Sequence, residues 1–245
     1  DPRAVLRING SATNRTLERE SMSQPKGAQK YYPVFLNMQG QLCVVIGGGE
    51  IAERKVQSLL EAGAVVTLIT PNCTEGLEAM TADPSVTWHQ RKYETGDLGG
   101  AFIAIASTDD RAVNDAVTKE AAERNTPLNV VDITDMCTFI APSIIRRGPV
   151  TLAISTGGMG PALARKLRKE LEGNEALAYA DMAELVADVR AELKARPLTV
   201  DPEGWQAALN TEVLGLYQSG QPTQARERMI ELLETWADRA QAGVS

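Results

Sequence analysis

Three consecutive glycines, Gly47-Gly48-Gly49, run into Glu50-Ile51-Ala52, giving the pattern G-x-G-x-x-A. The apolar run Leu42-Cys43-Val44-Val45-Ile46 before them reads as a buried strand. Glu50 to Ala62 after them carries Ile51, Ala52, Val56, Leu59 and Leu60 at helical spacing, and Gly63 stops it. A strand that turns on glycine into a helix gathers unpaired N–H groups and the positive end of the helix dipole at one point. That chemistry suits a phosphate. In a dinucleotide site, Gly47 allows the tight turn, Gly49 lets the backbone approach a pyrophosphate, and Ala52 keeps helix and strand close. The plainer alternative is a tight turn that holds no ligand.

The second half of that fingerprint is absent. An acid about 20 residues on should hold the ribose hydroxyls, yet the next strand, Val65 to Thr70, ends in Thr70-Pro71-Asn72. No Lys or Arg occurs between 56 and 90 to meet a 2′-phosphate. NAD is therefore favoured over NADP, with Asn72 or backbone groups left to serve the ribose. Ser107-Thr108-Asp109-Asp110 closes the apolar run Ala101–Ala106. Ser107 and Thr108 are placed to meet the nicotinamide half, and Ser107, Thr108 or Asp109 to cap the following helix. Asn129-Val130-Val131-Asp132 ends another strand. An acid at that rim, partly buried beside a cofactor, suits proton transfer, although turn residues are often acidic for local reasons.

The elements that must position these residues alternate from Tyr31 to about Val131. Strands Leu42–Ile46, Val65–Thr70, Val86–His89, Ala101–Ala106 and Leu128–Val131 are interleaved with helices. Strands that are apolar on both sides mean a parallel sheet covered on both faces, a Rossmann-like doubly wound α/β fold. Beyond it, Phe139–Ile145 and Val150–Ile154 read as extended runs separated by Arg146-Arg147-Gly148-Pro149. Gly157-Gly158-Met159-Gly160-Pro161 is a loop opening a helix. The remainder reads helical: one amphipathic helix over Ala176–Ala195, a new start at Asp201-Pro202, and a last helix after Gln221-Pro222 to about Ala240. The expected division is a flexible polar tail over 1–30, a dinucleotide domain over 31–138, a linking region over 139–175 and a helical domain over 176–245. Met22 is a candidate natural start within the tail.

Composition removes several classes. No run of 18 apolar residues is present to span a membrane. A net charge of −7 argues against a nucleic-acid partner. Cys43, Cys73, Cys137 and the single histidine, His89, are too scattered for a disulfide framework or a zinc site. No resident metal is expected. The cysteines read as small buried hydrophobes, and a reducing cytoplasm fits them.

Several ordered motifs together resemble the precorrin-2 dehydrogenase/sirohydrochlorin ferrochelatase family, the N-terminal half of siroheme synthase. They are Pro33-Val34-Phe35-Leu36, Val45 through Lys55, Leu60-Glu61-Ala62-Gly63-Ala64 and Asn129-Val130-Val131-Asp132. Phe139 through Pro149, Ala153 through Gly158, and Pro161-Ala162-Leu163-Ala164-Arg165 complete the set. The resemblance implies NAD-dependent oxidation of precorrin-2 to sirohydrochlorin, with ferrous iron insertion in some members. It implies a homodimer whose dimerisation region is followed by a small helical domain. It makes Asp132 the catalytic residue and puts Glu50, Ile51, Pro71 and Asn72 on the NAD. The family position before the glycine pair, often Ser, is Thr156 here, which keeps the hydroxyl and adds a methyl. A macrocycle rich in carboxylates needs cations in an acidic chain, and Arg146, Arg147, Arg165, Lys166, Arg168 and Lys169 cluster beside the dimerisation region. With no methyltransferase-like sequence in these residues, methylation is expected on another protein. The other function considered is an NAD-sensing module without catalysis. A pure sensor has no need of an acid at the rim or a polyanion patch.

Overall fold

The structure, a computed structural model, describes residues 30–242. Residues 1–29 of the expected tail, with Met22, lie outside the described residues. Five strands form one parallel sheet: β1 (Leu42–Ile46), β2 (Val65–Ile69), β3 (Val86–His89), β4 (Ile103–Ala106) and β5 (Leu128–Val130). Their order is β3-β2-β1-β4-β5, so the chain reverses direction of growth between β1 and β4. Side chains alternate across this sheet. Cys43 and Val45 pack with Ala52, Val56 and Leu59 of helix α1 (Glu50–Glu61). Val44 and Ile46 pack on the other face with Val117 and Ala121 of α3 (Arg111–Arg124). A doubly wound sheet with ligand space at its β1/β4 switch point follows.

The short α2 (Glu75–Met80) was not foreseen. It buries only Leu77 and depends on Thr74, whose hydroxyl accepts from the Leu77 N–H at 3.2 Å. After β5 a 3₁₀ turn spans Thr134–Met136. The antiparallel pair β6 (Ser143–Arg147) and β7 (Val150–Ile154) follows. This corrects the expected turn: Arg146 and Arg147 belong to β6, and only Gly148-Pro149 separate the strands. Gly148, at φ +55, supplies the left-handed residue that so tight a hairpin needs. Phe139–Pro142 is not a strand; its backbone–backbone tie to the sheet is the Phe139 N–H, which donates to Leu128 O of β5 at 3.3 Å.

Helix α4 (Pro161–Glu172) begins with proline in its first turn, as expected. The single helix expected over Ala176–Ala195 is two segments. A 3₁₀ stretch, Glu175–Met182, precedes α5 (Ala183–Lys194). Ala178, Ala180 and Met182 are all buried, a spacing of two that an α-helix does not place on one face. Helices α6 (Pro202–Ala208), α7 (Thr211–Gln218) and α8 (Pro222–Ala242) complete a third core around Met229 and Leu233. Asp201 caps α6 by accepting from the Gly204 N–H at 2.7 Å.

Candidate active site

The glycine turn is fixed by what surrounds it. Gly47 is buried at φ +114, and a Cβ there would lie 2.1 Å from the Ser107 carbonyl oxygen. Gly48 is equally constrained: its Cβ would lie 2.0 Å from the Asn72 carbonyl oxygen. Thr74 donates its backbone N–H to the Gly48 carbonyl at 2.9 Å, tying the end of β1 to the segment after β2. Gly49 differs. It is the N-cap of α1, provides no side-chain cap, and a Cβ there would meet nothing within 4 Å. The requirement for Gly48 was missed in the sequence, where it occupied a free position of the motif.

Two cavities meet at this rim. The smaller, about 490 Å³, is lined by Gly49, Glu50, Ile51, Ser107, Thr108 and Asp132, among others. The larger, about 590 Å³, lies between α1, the segment after β5, the end of β7 and α4. Ile51, Val131 and Asp132 border both. Asp132 is exposed rather than partly buried, and its backbone is left-handed at φ +59. Among the described residues the other non-glycine with positive φ is Asn125, at the end of α3, where that conformation is ordinary. The turn around Asp132 is held on both sides. Val131 N–H donates to Ala106 O at 2.9 Å, and the Cys137 sulfur accepts from Val130 N–H at 3.2 Å.

The remaining predicted site residues divide. Thr156 and Arg165 line the larger cavity, and the Thr156 hydroxyl accepts from the Gly160 N–H at 3.1 Å. Pro71 and Asn72 are exposed at the end of β2 and border neither cavity. Arg146 and Arg147 also border neither. Arg146 pairs with Glu61 at 3.0 Å, and Arg147 grips both Asp181 oxygens at 2.6 and 2.5 Å. Ser107, Thr108 and Asp109 do not cap α3. Asp110 does, accepting from the Ala112 and Val113 N–H groups.

Comparison with known proteins fits this geometry. A family model described as "Putative NAD(P)-binding" matches residues 34–143, and one described as "Sirohaem biosynthesis protein central" matches 147–174. The siroheme synthase of Thioalkalivibrio sulfidiphilus is 39% identical over 215 residues, 87% of this chain and 44% of that protein. That of Methylobacillus flagellatus is 39% identical over 207 residues, 82% of this chain and 44% of its own length. Over most of its own length the chain is similar to these siroheme synthases. It spans less than half the length of these two relatives. The solved structure of "SirC, precorrin-2 dehydrogenase" superposes with a TM-score of 0.64 at 22% identity, covering 84% of this chain and 100% of that one. At that identity the likeness is one of fold.

The cations of the larger cavity are Arg54, Lys55 and Arg165, and its one acid is Asp132. Among the described residues none of the three cations is in an ion pair. By contrast Lys166 pairs with Glu170 and Arg168 with Glu172. Lys55 is half-buried, and burial lowers its pKa, with the charge of Arg54 pushing the same way. Burial pushes the Cys137 thiol up, against the Val130 N–H, Asn129 and Lys55. In the sequence Arg54 and Lys55 enter only as part of the motif Val45 through Lys55. Their positions i+3 and i+4 from Ile51 were the available signal for a shared wall.

The residues present fit a dinucleotide. Gly49 leaves open the space a phosphate would approach, and the smaller cavity offers the Ser107 and Thr108 hydroxyls. Asn114, also on that cavity, is 2% exposed, and its side-chain oxygen has no protein donor. A buried acceptor left unpaired costs about 1–3 kcal/mol, which a ligand donor would remove. No cluster of three or more His, Cys, Asp or Glu able to hold a metal occurs among the described residues, and His89 is exposed. No described helix is long and apolar enough to cross a membrane.

Proposed function

We propose that this chain oxidises precorrin-2 to sirohydrochlorin with NAD in siroheme biosynthesis. The observation that carries this reading is the shared wall: one carboxylate, Asp132, borders both a dinucleotide-type cavity and a second cavity lined by three cations that form no ion pair among the described residues. NAD, when bound, supplies the hydride acceptor. The first turn of α1 and the hydroxyls of Ser107 and Thr108 hold the dinucleotide, with Glu50 and Ile51 beside it. Pro71 and Asn72 are assigned to its far half. Arg54, Lys55 and Arg165 fix carboxylates of the macrocycle, turning it so that its reduced carbon meets the rim. Thr156 shapes the opposite wall. Asp132 accepts the ring proton that leaves as the hydride departs. Arg146 and Arg147 contribute at the periphery once their ion pairs exchange. Ferrous iron enters this scheme as a second substrate, inserted into sirohydrochlorin in the larger cavity while Asp132 takes pyrrole protons.

The macromolecular setting is proposed as a homodimer in the cytoplasm, where Cys43, Cys73 and Cys137 remain thiols. Purified protein given precorrin-2 and NAD should form NADH and sirohydrochlorin together. Absence of NADH would end the proposal. Lys55→Gln and Arg165→Gln should each raise KM for precorrin-2 by about tenfold while NAD affinity stays unchanged. Equal loss of both affinities would move the cations out of the substrate site. Adding ferrous iron to sirohydrochlorin tests the second activity, and a rate no faster than without protein removes it.

A further inference from the structure

The unpaired oxygen of Asn114 has a direction to its chemistry. Asn114 lies on α3, and its side-chain Nδ2 donates to the Thr108 carbonyl at 3.0 Å. That bond fixes which end of the amide is which, because a carbonyl can only accept. The Oδ1 is therefore an acceptor, buried and without a protein donor. It is the one buried side-chain polar atom among the described residues left in this state. Its backbone is fully used: the Asn114 N–H donates to Asp110 O at 3.0 Å, and its carbonyl accepts from the Thr118 hydroxyl at 2.7 Å. The residue is thus immobilised on all other sides, on the wall of the cavity that also holds Thr108 and Asp132.

We infer that Asn114 Oδ1 reads the amide N–H of the nicotinamide carboxamide and so selects the amide-bearing form of the dinucleotide. The inference rests on the NAD reading above. The cavity is at the carboxyl ends of β1, β4 and β5, on the side where Asp132 borders the substrate space. The ring that exchanges hydride must lie there, and its carboxamide carries the N–H donors on that half of the cofactor. The Ser107 and Thr108 hydroxyls are able to donate to the carboxamide oxygen, which leaves the N–H for an acceptor. Acceptor and donor pair only if the group is an amide, since an acetyl group has the same shape with no N–H.

The test is calorimetric binding of two cofactors in the absence of tetrapyrrole: NAD and 3-acetylpyridine adenine dinucleotide, which replaces the amide NH₂ by methyl. Wild type should bind NAD about tenfold more tightly than the analogue, the worth of one buried hydrogen bond. Asn114→Leu, which keeps the side-chain volume, should bring that ratio to about one by weakening NAD alone. Equal affinities in wild type would overturn the inference while leaving the cofactor reading intact, and this arm does not depend on the variant folding. A variant that weakens both cofactors alike would also overturn it, since the acceptor would then serve a part common to both. Binding of neither cofactor by wild type would remove the NAD reading and this inference with it.

Discussion

Asp132 holds its carboxylate at the meeting of two cavities by adopting a backbone conformation that L-residues avoid. Asp tolerates this region better than most residues, but it remains strained, and such strain collects at functional positions. Glycine would relieve it and alanine would not. Asp132→Gly is therefore expected to melt above Asp132→Ala, by a temperature equivalent to about 1 kcal/mol. Both should lose about 10²–10⁴-fold in turnover with NAD affinity little changed. A differential scanning melt alongside NADH kinetics checks both halves, and an alanine variant as stable as the glycine one would refute the strain argument. The glycine turn makes a second paired comparison. Gly48→Ala forces a methyl into the Asn72 carbonyl, whereas Gly49→Ala meets no protein atom. The first should lower the melting temperature. The second should keep it and weaken NAD binding, measured by calorimetry. The requirement at Gly48 was invisible in sequence because its neighbour, Asn72, is brought in by β2 rather than by the motif.

Helix α3 does more than cover the sheet. Its buried Glu120 accepts from the Gly96 N–H at 2.8 Å, the Leu98 N–H at 3.2 Å, the Arg124 Nε at 2.6 Å and the Tyr93 hydroxyl. One carboxylate thereby anchors the whole passage from β3 to β4. Burial pushes its pKa up, but these donors prevail and hold it below the ordinary 4.5. A folded-state value below the unfolded one contributes stability that is complete above 4.5 and fades as pH falls through the lowered value. The melting temperature should therefore drop on acidification below about pH 4.5, and Glu120→Gln should flatten that limb while costing stability at neutral pH. Melts across the acid range decide it: an unchanged acid limb in the variant would assign the effect to other carboxylates. Strands were legible as short continuous apolar runs, and long helices because their apolar residues recur three to four apart. Helices α2 and α7 were not, since each buries little and is set by a cap: Thr74 for one, and Asn210 accepting from the Val213 N–H at 3.0 Å for the other.

At the scale of the molecule, α4 leaves Leu163, Leu167 and Leu171 exposed at 56%, 41% and 37%, each one turn from the next. Ile144 on β6 and Met159 before α4 are exposed as well. A two-stranded sheet and one helix make a marginal unit by themselves, and a stripe of this kind fits the proposed contact with a second copy. Leu163→Glu together with Leu167→Glu should convert a dimer to monomers in light scattering. A wild-type chain that is already monomeric, or a variant that stays dimeric, would remove α4 from the interface. The charge distribution agrees with the proposed substrate. The chain as a whole is at −7, yet the larger cavity is walled by Arg54, Lys55 and Arg165 against a single acid. An anion repelled by the surface at large is thus attracted at one place, an effect that added salt should weaken.

The order of apolar runs, glycines and caps determined the parallel α/β sheet, the turn from β1 into α1, and Asp132 at the end of β5. These depend on local spacing, which a linear sequence carries in full. Which cations remain available was decided only by the tertiary structure. Arg146 and Arg147 stand in the sequence as good a pair as Arg54 and Lys55, but folding brings Glu61 and Asp181 to the first pair and, among the described residues, no ion-pair partner to the second. The left-handed turn at Asp132, the contact of Gly48 with Asn72 and the unpaired oxygen of Asn114 have the same origin. Each depends on which distant segment arrives alongside, and no spacing within one segment records that.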